Sequence, residues 1–187
     1  VQGVRNRFKL RLRYYSEKGD GPVFFEVKKR SDQVINKIRE MSDRASAQQF
    51  LRNGSHKSAE FLEHCDLAGA KPAVRVHYMR EAYECPGHAP VRLTFDTDLE
   101  HCIVSDFDLV ESRPRWSPTP INGVILEIKF TERKPIWLDE LVRHFQLNKQ
   151  SVAKYVRSVD AVRDQGALQA LHAKLATASG WRLALTG

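Results

Sequence analysis

Basic residues occupy every second position in the first predicted strand of the chain. Lys9, Arg11 and Arg13 alternate there with apolar residues. Because successive side chains of a strand point to opposite faces, this spacing predicts one basic face and one apolar face. Two more predicted strands, over residues 23–30 and 34–41, repeat the pattern, and their polar faces carry Glu26, Lys28, Arg30, Lys37 and Arg39.

Basic faces on neighbouring strands favour a ligand made of phosphates. Strands that closed around a channel with these faces inward would repel one another unless a polyanion filled the channel, since unpaired buried charges are costly. Guanidinium groups bind phosphate oxygens in pairs, and ammonium groups add compact charge. For any single strand the alternative is an ordinary polar face in water. The recurrence over several strands favours the phosphate interpretation.

A carboxylate in a later apolar strand is the second candidate for chemistry. Glu127 shares a face with Lys129 in the strand predicted over residues 123–131, where a charged group needs a partner. Pairing with a neighbouring Arg and metal binding are equally weighted interpretations. Magnesium or manganese bound to a triphosphate needs only one or two protein carboxylates. Glu127, with Glu26 as a second ligand, would suffice.

Composition limits the class of protein. The chain has 187 residues, 42% of them hydrophobic and 28% charged, as in a soluble globular protein with one core. A net charge of +7 favours an anionic partner. Three cysteines without metal-ligand or disulfide-framework spacing suit a reducing compartment, so a cytoplasmic location is expected. No apolar run is long enough to span a bilayer, and no leader is recognisable, so no membrane segment is expected.

The predicted elements give an α+β fold in which strands dominate. Strands are predicted over residues 7–14, 23–30, 34–41, 73–85, 90–98, 101–107 and 123–131. Helices are predicted from a cap at Ser42 or Asp43 to residue 51, and over 58–67, 137–145 and 159–177, with a loop over 113–122. We expect a single domain over residues 1–187, with residues 157–187 as a helical extension. An antiparallel barrel of about eight strands would leave room inside for one slender ligand.

Seven short segments together resemble the VTC domain, the polyphosphate polymerase branch of the triphosphate tunnel metalloenzymes, which are CYTH-like proteins. The segments follow one another in the family's order and cover nearly everything from Lys9 to Val156. They are residues 9–14 (KLRLRY), 25–28 (FEVK), 37–39 (KIR), 76–80 (VHYMR), 92–97 (RLTFDT), 126–130 (LEIKF) and 151–156 (SVAKYV).

The resemblance implies a tunnel-shaped antiparallel barrel that transfers the γ-phosphate of ATP to a growing inorganic polyphosphate chain, with manganese (Mn2+) or magnesium (Mg2+) as the metal. The catalytic residues expected by motif are Arg11, Arg13, Lys28, Lys37, Arg80, Arg92 and Lys154. Further substrate contacts are expected from Lys9, Arg39, Tyr78 and Lys129, and metal ligation from Glu127 and Glu26. The family's first tunnel strand has no counterpart here. Either a segment precedes residue 1 or the barrel lacks that strand, and we expect the former.

Other functions stay open at this point. A tripolyphosphatase or nucleoside triphosphatase would direct water at the γ-phosphate in the same tunnel. A non-catalytic binder of polyphosphate or inositol phosphates would keep the basic residues and tolerate loss of Glu127. Nucleic-acid binding is disfavoured, because single-strand binders place aromatic residues among basic ones, whereas Phe8 and Tyr14 point away from the basic side. The sequence makes no prediction of oligomeric state.

Overall fold

A computed structural model describes residues 6–16, 20–31, 34–53, 59–70, 72–85, 90–104, 109, 114–131 and 133–164. Within these residues the fold is α+β, with antiparallel sheets and four helices, which confirms the predicted class. The chain divides into two compact units. The first comprises Val1–Ala73, Val104–Arg113 and Leu171–Gly187, and the second comprises Val74–Ile103 and Pro114–Ala170. Three expectations stay predictions: closure of the strands into a barrel, a single domain over residues 1–187, and a helical extension over residues 157–187.

The first unit is built on an antiparallel meander, as the sequence predicts. Its strands pair in chain order and are β1 (Asn6–Arg13), β2 (Val23–Ser31) and β3 (Val34–Ser42). Arg11 lies opposite Glu26, which in turn lies opposite Arg39. This register sets the alternating basic residues of all three strands on the same side of the sheet.

The other side of this sheet packs against two helices, α1 (Arg44–Asn53) and α2 (Ala59–Ala68). Val23, Phe25 and Val27 alternate along β2 and are buried. The ring of Phe25 meets the rings of Phe50 and Phe61 edge to face, with centroids 5.1 and 5.3 Å apart. Burying each such side chain contributes about 1.5–3 kcal/mol. The apolar face therefore fixes which side of the sheet meets the helices and turns the basic side away from them.

The start of α1 is held by two local devices. The backbone N–H of Ser46 donates to the Asp43 carboxylate over 2.8 Å, which confirms one of the two predicted capping residues. Arg44 is buried, and its guanidinium donates to the carbonyl oxygens of Ser16 at 2.5 Å and Leu109 at 3.3 Å. These contacts tie Leu109 and the segment that follows β1 to the helix that covers the sheet.

The second unit contains a sheet centred on one long strand. Its strands are β4 (Val74–Cys85), β5 (Val91–Ile103), β6 (Ser117–Pro118) and β7 (Ile125–Phe130). One edge of β5 pairs with β4, and the other pairs with β6 and β7. The sequence predicts separate strands over residues 90–98 and 101–107, which is wrong because β5 is continuous. It also predicts a loop over residues 113–122, which is wrong where β6 forms. Residues 105–107 of the strand predicted over 101–107 lie outside the described residues.

A bulge in β5 explains why the sequence pattern breaks there. Asp98 has a positive φ of 51°, and the pairing with β4 shifts between His77 and Met79. The extra residue reverses the alternation of β5 after this point. As a result Asp96 and His101, which differ in parity, lie on the same face of the sheet.

Helix α4 (Lys154–Asp164) packs on β4 and β5, and α3 (Ile136–His144) precedes it. The Ser158 hydroxyl lies 3.2 Å from the Thr119 hydroxyl. The Thr119 hydroxyl also lies 2.8 Å from the ring Nδ1 of His101. Burial lowers the pKa of His101, so this contact joins uncharged groups. The helix starts five residues before the predicted position, 159, and the predicted residues beyond 164 lie outside the described part. None of the described helices has the length and apolar character needed to cross a bilayer.

Candidate functional site

The basic face of the first sheet carries the first group of candidate residues. We use "basic face" for the side of the β1–β2–β3 sheet that is turned away from α1 and α2. Its basic residues with described side chains are Lys9, Arg11, Arg13, Lys28, Arg30, Lys37 and Arg39, and Glu26 is the acidic residue among them. Every basic residue predicted for this unit therefore lies on a single sheet face.

Three lysines form a row across the basic face. Lys9 lies directly opposite Lys28, and Lys28 lies directly opposite Lys37. Residues opposite one another in antiparallel strands have Cα atoms about 5 Å apart, and like charges in such pairs are destabilising. All three side chains are exposed. A row of this kind lowers the stability of the sheet by itself and provides a positive strip suited to a bound anion.

Glu26 lies between two arginines of the neighbouring row. Its carboxylate accepts a hydrogen bond from Arg11 Nε at 2.6 Å, and its other oxygen lies 3.5 Å from Arg39 Nε. Both oxygens are thus turned towards guanidinium groups. This arrangement suits Glu26 as a residue that orients Arg11 and Arg39, and its predicted role as a metal ligand stays a prediction.

An aromatic cluster at one end of the basic face was missed by the sequence reasoning. Phe24 lies opposite Arg13 and Met41, and Arg39 lies over its ring with the guanidinium carbon 3.9 Å from the centroid. The ring of Tyr15 meets Phe24 edge to face at 5.9 Å. The sequence does show this residue, because Phe24 occupies the alternating positions of β2 that otherwise carry charged residues.

Phe8 and Tyr14 point away from the basic face, as the sequence predicts. Phe8 packs against the ring of His64 from α2, with centroids 5.1 Å apart. Tyr14 lies beneath the buried guanidinium of Arg44 at 4.4 Å. The absence of aromatic residues from the basic side, however, holds for β1 and does not extend to β2.

The second unit builds its site around Asp96, which the sequence reasoning did not select. Arg80 binds this carboxylate with two hydrogen bonds, Nε to Oδ1 at 2.5 Å and Nη2 to Oδ2 at 2.7 Å. Lys154, the first residue of α4, reaches the same carboxylate with 2.6 Å between Nζ and Oδ2. The Asp96 side chain is only 1% exposed. One buried carboxylate therefore holds two predicted catalytic cations in fixed positions.

Charge around Asp96 determines the protonation states of the group. Burial alone would raise the pKa of Asp96, but hydrogen bonds from Arg80 and Lys154 outweigh it and hold the pKa below its ordinary value. The hydrogen bond to Asp96 raises the pKa of Arg80. The ring of Tyr78 lies 5.2 Å from both the Arg80 guanidinium and the Lys154 ammonium. The structure thus brings together Tyr78, Arg80 and Lys154, three of the predicted site residues, whose roles stay predictions.

Glu127 lies beside this group on the same sheet face. Lys129 Nζ is 3.0 Å from Glu127 Oε1, and Arg80 Nη2 is 3.6 Å from Oε2. Burial would raise the pKa of Glu127, yet hydrogen bonding and attraction from Lys129, with the charges of Arg80 and Lys154, lower it. The carboxylate is therefore ionised near neutral pH and is 41% exposed. A half-exposed anionic carboxylate of this kind is chemically suited to magnesium, which prefers oxygen ligands.

Two further residues complete this face. Arg92 lies opposite Lys129 and forms a 3.7 Å ion pair with the exposed Glu84. Thr94, opposite Glu127, is buried, and its hydroxyl has no hydrogen-bond partner in the described part of the chain. No group of three or more His, Cys, Asp or Glu residues among those described is arranged to hold a metal ion.

The basic face belongs to the first unit and the group around Asp96 belongs to the second. The two predicted metal ligands are therefore in different units, Glu26 in the first and Glu127 in the second. Taken singly, each unit presents an antiparallel sheet whose polar face is rich in cations, within an α+β protein. A family model for the VTC domain matches residues 1–163, most of the chain. The protein belongs to the VTC domain family, which has the CYTH-like triphosphate tunnel fold.

Proposed function

We propose that this protein is a polyphosphate polymerase that transfers the γ-phosphate of ATP to a growing inorganic polyphosphate chain. Membership of the VTC domain family supports a ligand with several linked phosphates. In phosphoryl transfer the protein contributes mainly positioning and charge neutralisation rather than covalent chemistry. The cations of both units are the residues that would do this work.

The observation that carries the proposal is the row formed by Lys9, Lys28 and Lys37. Like charges directly opposite one another in a sheet are unfavourable, so such a row lowers the stability of the sheet, and a bound anion would offset that loss. A solvated sheet face usually mixes the two signs of charge, whereas the basic face carries seven basic residues with described side chains and one acidic residue, Glu26. A chain of linked phosphates lying along the strip, either polyphosphate or the triphosphate of ATP, would remove the repulsion.

The residues of the second unit would act on the reacting phosphates. Asp96 prevents Arg80 and Lys154 from moving freely, so little reorganisation is needed when negative charge develops on a phosphate between them. Each has donors left after binding Asp96, since guanidinium has five N–H groups and ammonium has three. Arg92 is more exposed and would bind an outer phosphate.

Glu127 is the proposed ligand for manganese or magnesium. When bound, the divalent ion would neutralise charge on the β- and γ-phosphates. Glu127 itself would leave its ion pairs with Lys129 and Arg80, and these two cations would then be available to phosphate oxygens. This exchange of partners is the role of the chain's own residues in assembling the site.

The test is to incubate the purified protein with ATP and manganese and to separate the products on a polyacrylamide gel. A polymerase produces a ladder of polyphosphate chains. Orthophosphate without a ladder would identify a hydrolase of the same family instead. Neither product, together with measurable binding of tripolyphosphate, would identify a non-catalytic phosphate-binding module.

The metal role is tested by Glu127→Gln. We expect this variant to lose turnover while keeping most of its affinity for polyphosphate, because the amide removes the charge that attracts the divalent ion but not the basic residues. Glu140→Gln, at an exposed position of α3, is the matched control and should leave turnover unchanged. Unchanged turnover in Glu127→Gln would remove Glu127 from metal binding.

A further inference from the structure

The basic face changes its chemistry along the strands. In the middle, Lys9, Lys28 and Lys37 lie side by side. At the end of β1, the corresponding row contains Phe24 and Met41 in place of two cations. Phe24 and Lys28 are four residues apart on β2, which is about 13 Å in an extended strand. A cationic region and an aromatic region therefore share one face at a spacing comparable with the length of an extended nucleotide.

The aromatic region offers flat, accessible surfaces. The Tyr15 side chain is among the most exposed large hydrophobic residues of the described chain, at 71%. The guanidinium carbon of Arg39 lies 3.9 Å from the centroid of the Phe24 ring, and Arg39 Nε lies 3.5 Å from the Glu26 carboxylate. About half of the Arg39 side chain stays exposed. Planar nucleobases stack on aromatic rings and on guanidinium planes in the same way.

A ligand made only of phosphates has no use for this region. The face of an aromatic ring carries negative electrostatic potential, so it repels a phosphate oxygen placed over it. The aromatic rings favour instead an uncharged planar group, while Arg13 and Arg39 beside them still attract negative charge. The group that carries both a planar ring and a chain of phosphates is a nucleotide.

We propose that Tyr15, Phe24 and Arg39 form a stacking site for the base of a nucleoside triphosphate, with its phosphates extending along the face towards the three lysines. The inference rests on the proposed function, because it identifies where the donor nucleotide would lie and in which direction its phosphates run. Stacking of this kind accepts any nucleobase and gives little discrimination between ATP and GTP.

The experiment compares two ligands by isothermal titration calorimetry, ATP and inorganic tripolyphosphate, in the unsubstituted protein and in Tyr15→Ala. Stacking on one aromatic residue corresponds to a change of about 5- to 150-fold in affinity. We expect ATP to bind within this range more weakly to Tyr15→Ala, and tripolyphosphate to bind unchanged. Tyr15→Phe keeps the ring and should retain ATP affinity. Tyr83→Ala, at a comparably exposed tyrosine of the second unit, is the matched control.

Each alternative result overturns the inference. Equal weakening of ATP and tripolyphosphate in Tyr15→Ala would mean that the ring supports the basic residues rather than a base. Unchanged affinity for both ligands would place the base elsewhere. Binding of neither ligand by the unsubstituted protein would refute the proposed function itself, and with it this inference.

Discussion

Replacing Asp96 by Asn should destabilise the second unit substantially. The substitution keeps the size of the side chain but removes its charge. The amide oxygen can still accept hydrogen bonds at one of the two carboxylate positions, whereas the NH2 group at the other position turns donors towards a cation. Arg80 and Lys154 would then lie close together without the carboxylate that both now share.

The structure sets the size of the effect. Removing one partner of a buried ion pair costs about 3–5 kcal/mol. Arg80 and Lys154 keep 25% and 18% exposure, so water can solvate part of each freed charge. We therefore expect the free energy of unfolding to fall by about 3 kcal/mol, at the lower end of that range. For a chain of this length this corresponds to a decrease in Tm of roughly 6–12 °C.

Thermal unfolding followed by circular dichroism measures this change. Glu84→Gln is the matched control, because Glu84 is on the same sheet and pairs with Arg92 at 3.7 Å, but its side chain is 70% exposed. An exposed pair contributes less than about 1 kcal/mol, so this variant should unfold close to the unsubstituted protein. If Asp96→Asn also unfolded within the error of the unsubstituted protein, Asp96 would not be holding the two cations.

Three shorter predictions concern Asp96, Lys9 and Ser158. The pKa of Asp96 is below its ordinary value in the folded protein, so its contribution to stability should be constant from pH 7 to about pH 5 and be lost in more acidic solution. The Tm difference between the unsubstituted protein and Asp96→Asn should therefore shrink over that acidic range. Lys9→Gln removes a like-charge contact, so it should raise Tm slightly in ligand-free protein. It should also weaken tripolyphosphate binding, and this loss of affinity should decrease as salt is added. Scanning calorimetry measures the Tm and titration calorimetry at two salt concentrations measures the affinity, with Lys149→Gln as the control. Ser158→Ala removes a fully buried hydroxyl from the contact with Thr119 and should cost about 1–2 kcal/mol in the free energy of unfolding by denaturant titration, whereas unaltered stability would show that this contact does not hold α4 on the sheet.

The basic face could be predicted from the sequence because it depends on local alternation. Each of the three strands shows the period of two by itself, and short connections place them in a meander. The core face follows from the same pattern, since Val23, Phe25 and Val27 occupy the complementary positions. Phe24 was overlooked because the basic residues were considered strand by strand, before the register placed it opposite Arg13.

The centre of the second unit could not be predicted in this way. Asp96 is in phase with Arg92 and Thr94, and a lone acidic residue in that position resembles a solvated one. Its partners lie 16 residues before it on β4 and at the start of α4, far along the chain. The bulge at Asp98 also reverses the alternation of β5, so the sequence divides one strand into two. Both features depend on long-range packing that no local pattern records.

The most direct measurement is the fate of the γ-phosphate of ATP. The protein is incubated with manganese and ATP labelled at that position, and the label is followed over time in polymer, orthophosphate and remaining ATP. Our account predicts that label accumulates in chains that grow longer with time, and that Glu127→Gln leaves it in ATP. Label that enters only orthophosphate, or that never leaves ATP in the unsubstituted protein, would contradict it.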